Sequence, residues 1–252
     1  MNTEPVLVIQ GRIATISLCR PQAANRIGKT DLGALKQHIA RVNATGEVVV
    51  LRILATGQHF CGGYDLVALG QDQGQGADEF GELVNELEQI RPISIVAVNG
   101  GVYGGATDLC LACDFRIGAP ECQMQMPAVK LGLHLYKDGL ERYVSRLGLN
   151  AAKRLLLTAE KIDSQTMLEL GFLTEIVSLQ QLRGRVDQLS ALLEGMAPLP
   201  LLAVKKHLNR ISRSALDVAD LEKDIARAGN SADLREGIRA WKERRPPKFS
   251  GA

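Results

Sequence analysis

Two glycine-containing loops hold the residues most suited to chemistry. They span residues 55–66, ATGQHFCGGYDL, and residues 99–109, NGGVYGGATDL. Gly104 and Gly105 directly precede an apolar run that begins at Ala106, so this turn can bring main-chain N–H groups and the positive end of a helix close to a ligand. Such donors stabilise negative charge on an oxygen, and the loss of one costs about 2.7–4 kcal/mol of barrier stabilisation. The alternative interpretation is two ordinary tight turns.

Both loops follow predicted buried strands. Val48 to Leu54 and Ile93 to Val98 are nearly continuous apolar runs, as expected for strands that are covered on both faces. In open α/β sheets, ligands bind beyond the carboxyl ends of the strands. We therefore expect the two loops to face one site.

The surrounding sequence predicts alternating strands and helices. A hairpin of residues 6–9 and 13–18 precedes a helix over Thr30 to Val42, which is capped by Thr30 or Asp31. Further helices are predicted at 78–90, 106–113, 151–158, 164–170 and 182–196, with one containing 143–147, and strands at 114–118, 122–126 and 173–177. The alternation indicates an α/β fold class.

The sequence changes character at Pro198-Leu199-Pro200, which we interpret as a break. From there to about Arg244 it predicts helix without further strands, and it ends in KERRPPKFSGA. We therefore divide the chain into a core of residues 1–197 and a helical region of residues 198–252. The helical region packs either on its own core or on another subunit.

Composition excludes several classes of protein. Hydrophobic residues make up 46% and charged residues 23% of the 252 residues, which is typical of globular proteins. The net charge of +2 and the 4% of aromatic residues favour no nucleic-acid partner. No stretch approaches ~18 uninterrupted apolar residues, and no basic leader precedes an apolar run. We expect no membrane partner and a cytoplasmic location.

The five cysteines are expected to be reduced thiols. They lie among apolar neighbours, and Cys110 and Cys113 form a C-x-x-C without a second Cys or His pair at zinc-site spacing. We therefore interpret them as core residues and expect neither a disulfide nor a metal.

The two loops resemble a known family. His59 to Leu66 resembles the F-C/S-A/S-G-x-D-L/I signature of the crotonase, or enoyl-CoA hydratase/isomerase, superfamily. Ala97 to Asp114 resembles that family's A-V-N-G-x-x-x-G-G-G-x-E-L-A-x-x-C-D block. The resemblance also includes Arg20-Pro21-x-x-x-Asn25, Gly171, the segment from Pro198 to Lys205 and the terminal WKERRPPKF, so it covers nearly the whole chain.

The resemblance implies a ββα spiral core, a C-terminal α-helical trimerisation region, and a homotrimer or a dimer of trimers. It also implies an acyl-CoA thioester as the ligand, with no cofactor apart from the coenzyme A of the substrate. The main-chain N–H groups of Tyr64 and Gly105 would bind the thioester oxygen, and Gly104 would line the same turn.

Other residues of the first loop are implied to contact coenzyme A. Cys61, Gly62 and Leu66 would lie near its pantetheine and adenine. Basic side chains are candidate partners for its phosphates, namely Arg26, Lys242 and Lys248. Solvated surface charge is the alternative interpretation of these three.

The chain departs from the family at both catalytic carboxylates. Water-adding members carry one glutamate three residues after the oxyanion glycine, where this chain has Asp108, and another directly after a later proline, where it has Ala128. Asp108 follows Gly105 by one helical turn, so its carboxylate lies on the same face. A first-turn aspartate that stabilises the helix is the alternative. Hydration needs both an acid and a base, each worth about 10²–10⁴-fold, so Ala128 puts hydration in doubt.

Two side chains near Ala128 are candidates to compensate. His134 is of the residue type most often used for acid–base catalysis, and Tyr136 can donate to a developing anion. A structural histidine is the alternative for His134. The Tyr64 hydroxyl either faces the acyl pocket or packs at the loop edge.

Our sequence-based hypothesis is an acyl-CoA enzyme, a lyase or an isomerase, that stabilises a thioester enolate and transfers protons through Asp108, as in double-bond isomerisation. Hydration, thioester hydrolysis and decarboxylation are the alternatives among enzymes. A catalytically reduced acyl-CoA-binding subunit is the alternative of another class.

Overall fold

A computed structural model of the chain describes residues 4–65 and 75–252. The strands are β1 Val6–Gln10, β2 Ile13–Leu18, β3 Val50–Ala55, β4 His59–Cys61, β5 Ile93–Val98, β6 Gly101–Tyr103, β7 Phe115–Gly118, β8 Gln123–Gln125, β9 Ile162–Asp163 and β10 Glu175–Ile176. A six-stranded sheet has the order β1-β2-β3-β5-β7-β10, in which β1 and β2 are antiparallel and the other neighbours are parallel. A four-stranded sheet has the order β4-β6-β8-β9.

Helices cover both faces of the larger sheet. They are α1 Lys29–Ala44, α2 Gln75–Glu88, α3 Gly105–Ala112, α4 Lys137–Leu147, α5 Leu149–Thr158, α6 Ser164–Glu169, α7 Leu179–Glu194, α8 Pro198–Ser212, α9 Val218–Gly229 and α10 Ala232–Glu243, with 3₁₀ turns at Pro21–Ala23 and Ala128–Leu131. In the part of the chain that the structure describes, no helix has both the length and the apolar character that a bilayer crossing requires.

The central strand β5 shows why both faces must be covered. All six of its residues are buried. Val96 and Val98 belong to the main core, whereas Ile93, Ile95 and Ala97 pack on the opposite face, as the two-residue period of a strand requires. The opposite face is covered by α7 through Leu182, Val186, Leu189 and Leu193. Because β3 and β5 are buried in this way, their carboxyl ends are held in place, and the two glycine loops begin there.

Two local predictions at helix starts differ from the structure. The N-cap of α1 is Gly28 rather than Thr30 or Asp31, and the Asp31 carboxylate instead accepts the Gly28 N–H at 2.8 Å. The predicted helix break lies at residues 195–197, between α7 and α8. Pro198 and Pro200 themselves lie in the first turn of α8, where proline costs no intrahelical hydrogen bond.

The helical region contacts the core through buried polar groups. The Lys205 ammonium donates to the Pro92 carbonyl at 2.6 Å and lies 2.7 Å from the Asp114 carboxylate. The Asn209 amide donates to the Glu88 carbonyl at 3.0 Å. These contacts attach α8 to β5 and α2. The division at residue 198 remains a prediction.

Candidate active site

The two glycine loops are joined by main-chain pairing. Their segments β4 and β6 form parallel neighbours, with His59 opposite Gly101 and Cys61 opposite Val102, and an irregularity between the two pairs. Gly100 permits this approach, because a Cβ there would lie 1.9 Å from the Gln58 carbonyl oxygen. The smaller sheet, which was not predicted from the sequence, holds the two loops side by side. That they face one site stays a prediction.

Gly63 brings the first loop against the start of α3. It has φ +87°, which favours glycine, and a Cβ there would lie 3.2 Å from the Gly105 nitrogen and 2.5 Å from the Tyr103 carbonyl oxygen. The main chains of the two predicted oxyanion segments are therefore in contact.

The orientation of the next peptide follows from its neighbours. The Gly63 carbonyl accepts the Ile27 N–H at 2.9 Å, and the Ile27 carbonyl accepts the Asp65 N–H at 2.9 Å. In a trans peptide the carbonyl and the following N–H point in opposite directions, so the Tyr64 N–H points away from Ile27. Tyr64, Gly104 and Gly105 keep partial solvent exposure, which leaves this side reachable by a ligand.

The second loop turns sharply at Gly104, which has φ +54° and is the N-cap of α3. Its N–H donates to the Gln125 carbonyl at 3.0 Å, while its carbonyl accepts the Thr107 N–H at 3.0 Å and the Thr107 hydroxyl at 2.7 Å. The Thr107 hydroxyl also lies 2.5 Å from the Tyr143 hydroxyl of α4. This network fixes the helix start at which Gly105 provides the first main-chain N–H.

Asn25 holds the main chain of the first loop through hydrogen bonds. It is buried, and its side-chain amide donates to the carbonyls of Thr56 at 2.9 Å, His59 at 3.0 Å and Phe60 at 3.2 Å. Asn25 is part of the family resemblance, which by itself implies no role for it. Its three acceptors explain the residue type, since an amide offers short-range donors that a hydrophobic residue lacks.

Asp108 lies one turn into α3 and is fully buried. Its Oδ2 accepts the Tyr136 hydroxyl and an N–H from Arg142 at 3.2 Å, while its Oδ1 has only a weaker contact with Arg142 at 3.4 Å. Burial raises the pKa of Asp108, and Arg142 and the Tyr136 hydrogen bond oppose that rise. The carboxylate can therefore titrate, and its Oδ1 has only one long hydrogen bond, whereas its Oδ2 has two.

Tyr136 covers Asp108 from the α4 side. Its ring lies against the main chain of Gly81 and Gly139, where an added Cβ would approach the ring to 3.1 and 3.0 Å. Burial, followed by the charge on Asp108, raises the pKa of Tyr136 far above the ordinary phenol value. The phenol therefore stays protonated and donates to Asp108.

Ala128 begins a 3₁₀ turn and is partly buried. It packs against the main core, as do the partly buried Tyr64, Leu135 and Tyr136. This segment thus presents a methyl group where the family's second carboxylate is expected.

His134 lies away from this cluster. Its side chain is exposed, and its Nδ1 is 2.6 Å from the neighbouring Leu135 carbonyl oxygen. Among the described residues, Asp108 hydrogen-bonds to Tyr136 and Arg142 and not to His134. The structure therefore brings Asp108 and Tyr136 together but leaves His134 outside their network.

The predicted coenzyme A contacts differ in accessibility. Arg26 is exposed and lies 3.7 Å from the Asp65 carboxylate. Gly62 donates its N–H to the Ala24 carbonyl at 2.8 Å, and a Cβ there would lie 2.9 Å from the Arg26 side chain. The structure thus places Arg26 and Gly62 together. Leu66 lies outside the described residues.

Cys61 faces the core. It is fully buried, its thiol donates to the Asn25 carbonyl at 3.1 Å, and burial raises the pKa of this thiol to about 12. Its side chain therefore supports the loop from inside. Because the whole residue is 0% exposed, the expected contact of Cys61 with coenzyme A stays a prediction.

Two charged residues of this site were missed by the sequence analysis. Arg142 is fully buried and Glu88 nearly so, with an ion-pair separation of 3.4 Å between them. The signal that could have indicated burial is the position of Arg142 in the helix. It lies on the same face of α4 as the buried residues Gly139 and Tyr143. Charged residues in amphipathic helices are ordinarily interpreted as solvated, which is why the signal was overlooked.

Another polar cluster lies in the helical region. His207, Asp220 and Asp224 bring possible metal ligands within 4.8 Å of one another. Lys206 contacts both carboxylates and Arg210 contacts Asp220, so these acids already have cationic partners.

Comparison with known proteins supports a single family. Residues 8–252 match the sequence model described as enoyl-CoA hydratase/isomerase. A probable enoyl-CoA hydratase of Mycobacterium leprae is 31% identical over 245 residues, which are 95% of this chain and 96% of the relative. The 1,2-epoxyphenylacetyl-CoA isomerase of Escherichia coli is 28% identical and covers 96% of this chain and 97% of the relative.

The fold comparison agrees. The crystal structure of an enoyl-CoA hydratase from Bacillus anthracis superposes with a TM-score of 0.90 at 24% identity, and covers 99% of this chain and 100% of that structure. At this identity the likeness shows the fold, and it confirms the predicted crotonase-type α/β fold.

Proposed function

The chain belongs to the enoyl-CoA hydratase/isomerase family of enzymes, and from this we infer that it binds the thioester of an acyl-CoA and transfers a proton at a carbon of the acyl group. The observation that carries the proposal is the approach of the Gly63 main chain to the Gly105 nitrogen, 3.2 Å from an added Cβ. The N–H groups of Tyr64 and Gly105 then bind the thioester oxygen and stabilise the enolate that forms on proton removal.

Asp108 is the acid–base group in this proposal. A carboxylate whose pKa is raised by burial accepts a proton more readily near neutral pH than an exposed one does. Its Oδ1 has the fewer contacts, so we assign the proton transfer to this atom. Tyr136 holds the other oxygen in place.

Double-bond isomerisation fits a site with one carboxylate. Asp108 removes a proton from one carbon of the enolisable acyl chain and returns it to another, so no water needs activation. Hydration requires a second group to orient and deprotonate water, and Ala128 offers none. Thioester hydrolysis and decarboxylation remain candidate reactions that product analysis separates.

A catalytically reduced binding subunit is the second candidate function. The observation that favours it is the ion pair between Asp108 and Arg142, because a guanidinium stabilises the ionised carboxylate and weakens it as a base. Under this alternative the oxyanion hole binds the thioester without turnover.

The decisive experiment compares Asp108→Asn with the wild type on a panel of saturated, 2-enoyl and 3-enoyl CoA esters. Isomerisation, 3-hydroxyacyl product, free CoA thiol and CO₂ are measured separately, with deuterium uptake into the acyl chain in D₂O. We expect isomerisation to fall about 10²–10⁴-fold, the worth of a general acid–base group, while the ester still binds. Wild-type turnover in Asp108→Asn would refute the assignment.

Two controls make the result interpretable. Asp187→Asn changes the same residue type on α7, where the exposed Asp187 side chain pairs with Arg52 of β3, and it should leave turnover unchanged. Thermal denaturation of Asp108→Asn checks the fold, since breaking a buried ion pair costs about 3–5 kcal/mol. Binding without any turnover in the wild type would support the binding subunit.

We also propose a trimer built through the helical region. Helices α8 to α10 expose large apolar side chains, including Val204, Leu208, Ile211, Ile225 and Trp241, and Trp241 is 81% exposed. Val204, Leu208 and Ile211 recur at the spacing of one face of α8, and an exposed apolar helix face is typical of protein interfaces.

A further inference from the structure

A series of alternating charges connects the helical region to Asp108. The Arg213 guanidinium, at the end of α8, lies 2.6 Å from Glu88 Oε2 on α2. Glu88 Oε1 lies 3.4 Å from Arg142 Nε and 3.6 Å from Arg146 Nη2, both on α4, and Arg142 Nη1 lies 3.2 Å from Asp108 Oδ2. Because the inner three side chains are buried, water screens these interactions weakly.

Arg142 contacts the carboxylates of both Asp108 and Glu88, but of these two it forms hydrogen bonds only with Asp108. It hydrogen-bonds to Asp108, to the Asn85 side chain at 2.7 Å and to the Asp138 carbonyl at 3.3 Å. Its contact with Glu88 has an ion-pair distance without hydrogen-bond geometry. Arg142 therefore stays directed at Asp108, while Glu88 balances part of its positive charge.

We propose that Glu88 is a positioning residue that acts through Arg142 to keep Asp108 basic, and that Arg213 of the helical region tunes this effect by neutralising Glu88. The inference rests on the proposed acid–base role of Asp108. Through these residues the charge that Arg213 brings from the helical region affects the basicity of the Asp108 carboxylate.

The groups that face Asp108 from the elements packed around it support opposite effects for the two residues. They are Tyr136, Arg142 and Tyr143 from the α4 segment, Glu88 from α2 and Arg213 from the helical region. After burial, which is the largest cause and raises the pKa of Asp108, Arg142 and Tyr136 lower it, Glu88 raises it and Arg213 lowers it. Removing Glu88 and removing Arg213 should thus shift the titration of Asp108 in opposite directions.

Both residues are suitable for substitution. Glu88 and Arg213 line a groove of about 1210 Å³ between α8 and the core. Glu88→Gln removes the charge at nearly constant size. Arg213→Gln removes the charge and shortens the side chain, and the groove borders both positions on one side. Glu82→Gln is the matched control, because Glu82 is an exposed residue that pairs with Lys36 at 2.8 Å.

The experiment measures two titrations for each full-length variant. One is the acidic limb of the kcat–pH profile with the CoA ester that the wild type turns over. The other is the ¹³Cγ NMR titration of Asp108 in the unliganded protein, assigned by its loss in Asp108→Asn. The second readout does not require turnover.

In Glu88→Gln we expect both midpoints to move to lower pH, and the plateau rate to fall because Asp108 is a weaker base. In Arg213→Gln we expect both to move to higher pH, and Glu82→Gln should match the wild type. The displacements should be smaller than the roughly 1–3 pH units that a charge in direct contact produces, since both residues act across Arg142. Glu88→Asp keeps the charge and should restore much of the wild-type profile.

Unchanged NMR midpoints in both variants, or shifts in the same direction, would overturn the inference. If Glu88→Gln fails to fold, the test rests on Arg213→Gln alone. A higher NMR midpoint of Asp108 in that variant supports the inference, and an unchanged or lower midpoint overturns it. The inference is separable from the proposed function: turnover retained in Asp108→Asn refutes the function, whereas abolished turnover with unmoved midpoints refutes only the role of Glu88 and Arg213.

Discussion

Replacing Gly63 by alanine tests the proposed oxyanion hole without removing any functional side chain. Gly63 has φ +87°, and a Cβ there would lie 2.5 Å from the Tyr103 carbonyl oxygen, which belongs to the main chain of the second loop. Main-chain atoms cannot rotate away as a flexible side chain does. The substitution therefore pushes the two loops apart at the point where the hole is proposed.

The size of the effect follows from this geometry. The contact must lengthen by about 0.5 Å to reach 3.0 Å, below which real Cβ atoms essentially never approach a neighbour. A misplacement of ~1 Å can cost about a hundredfold in rate, and complete loss of one donor costs about 10²–10³-fold. We expect kcat to fall about 10–100-fold, and the free energy of unfolding to fall by about 1–3 kcal/mol because of the strained φ.

The assay separates catalysis from binding and folding. It measures kcat with the best CoA ester, Kd for a non-reactive saturated ester by calorimetry, and stability by urea denaturation. Gly33→Ala is the matched control: Gly33 lies in α1, and a Cβ there would have no neighbour within 4 Å. That control should keep kcat and gain roughly 0.5–1 kcal/mol of stability. A folded Gly63→Ala protein whose kcat stays within about twofold of the wild type would refute an oxyanion hole at this position.

Two further predictions address the acid–base group and the assembly. Tyr136→Phe removes a hydrogen bond that lowers the pKa of Asp108, so the acidic limb of the kcat–pH profile should move to higher pH; an unmoved limb would show that this hydrogen bond does not reach the reacting carboxylate. Multi-angle light scattering should give about three times the 27.3 kDa chain mass, or six times for a dimer of trimers, and a monomer would contradict the proposed role of the helical region.

The long apolar elements could be predicted from the sequence. The bounds of β5 agree with the prediction at both ends, because an apolar run that only Ser94 interrupts lies between Pro92 and Asn99. The start of α3 was predicted to within one residue for a similar reason, since Gly104 and Gly105 precede an apolar helix. In both cases the signal is local in the sequence.

The features that were missed depend on contacts between distant segments. Strands β4 and β6 are three residues each and contain a histidine and a glycine, so neither has a strand signature. They form through pairing with each other and, for β6, with β8. Likewise, the charge on Arg142 is tolerated in the core because Glu88 and Asp108 approach it from two other helices. No pattern within α4 alone specifies these partners.

The pairing of β4 with β6 also bears on how a ligand is received. Adjacent strands lie about 4.8 Å apart, a spacing set by the hydrogen-bond ladder and not by side-chain rotamers. The two donor segments thus have their separation before any thioester arrives. The main-chain N–H dipoles of the two loops are oriented when the chain folds. A developing oxyanion would therefore meet donors that need little reorganisation at each turnover.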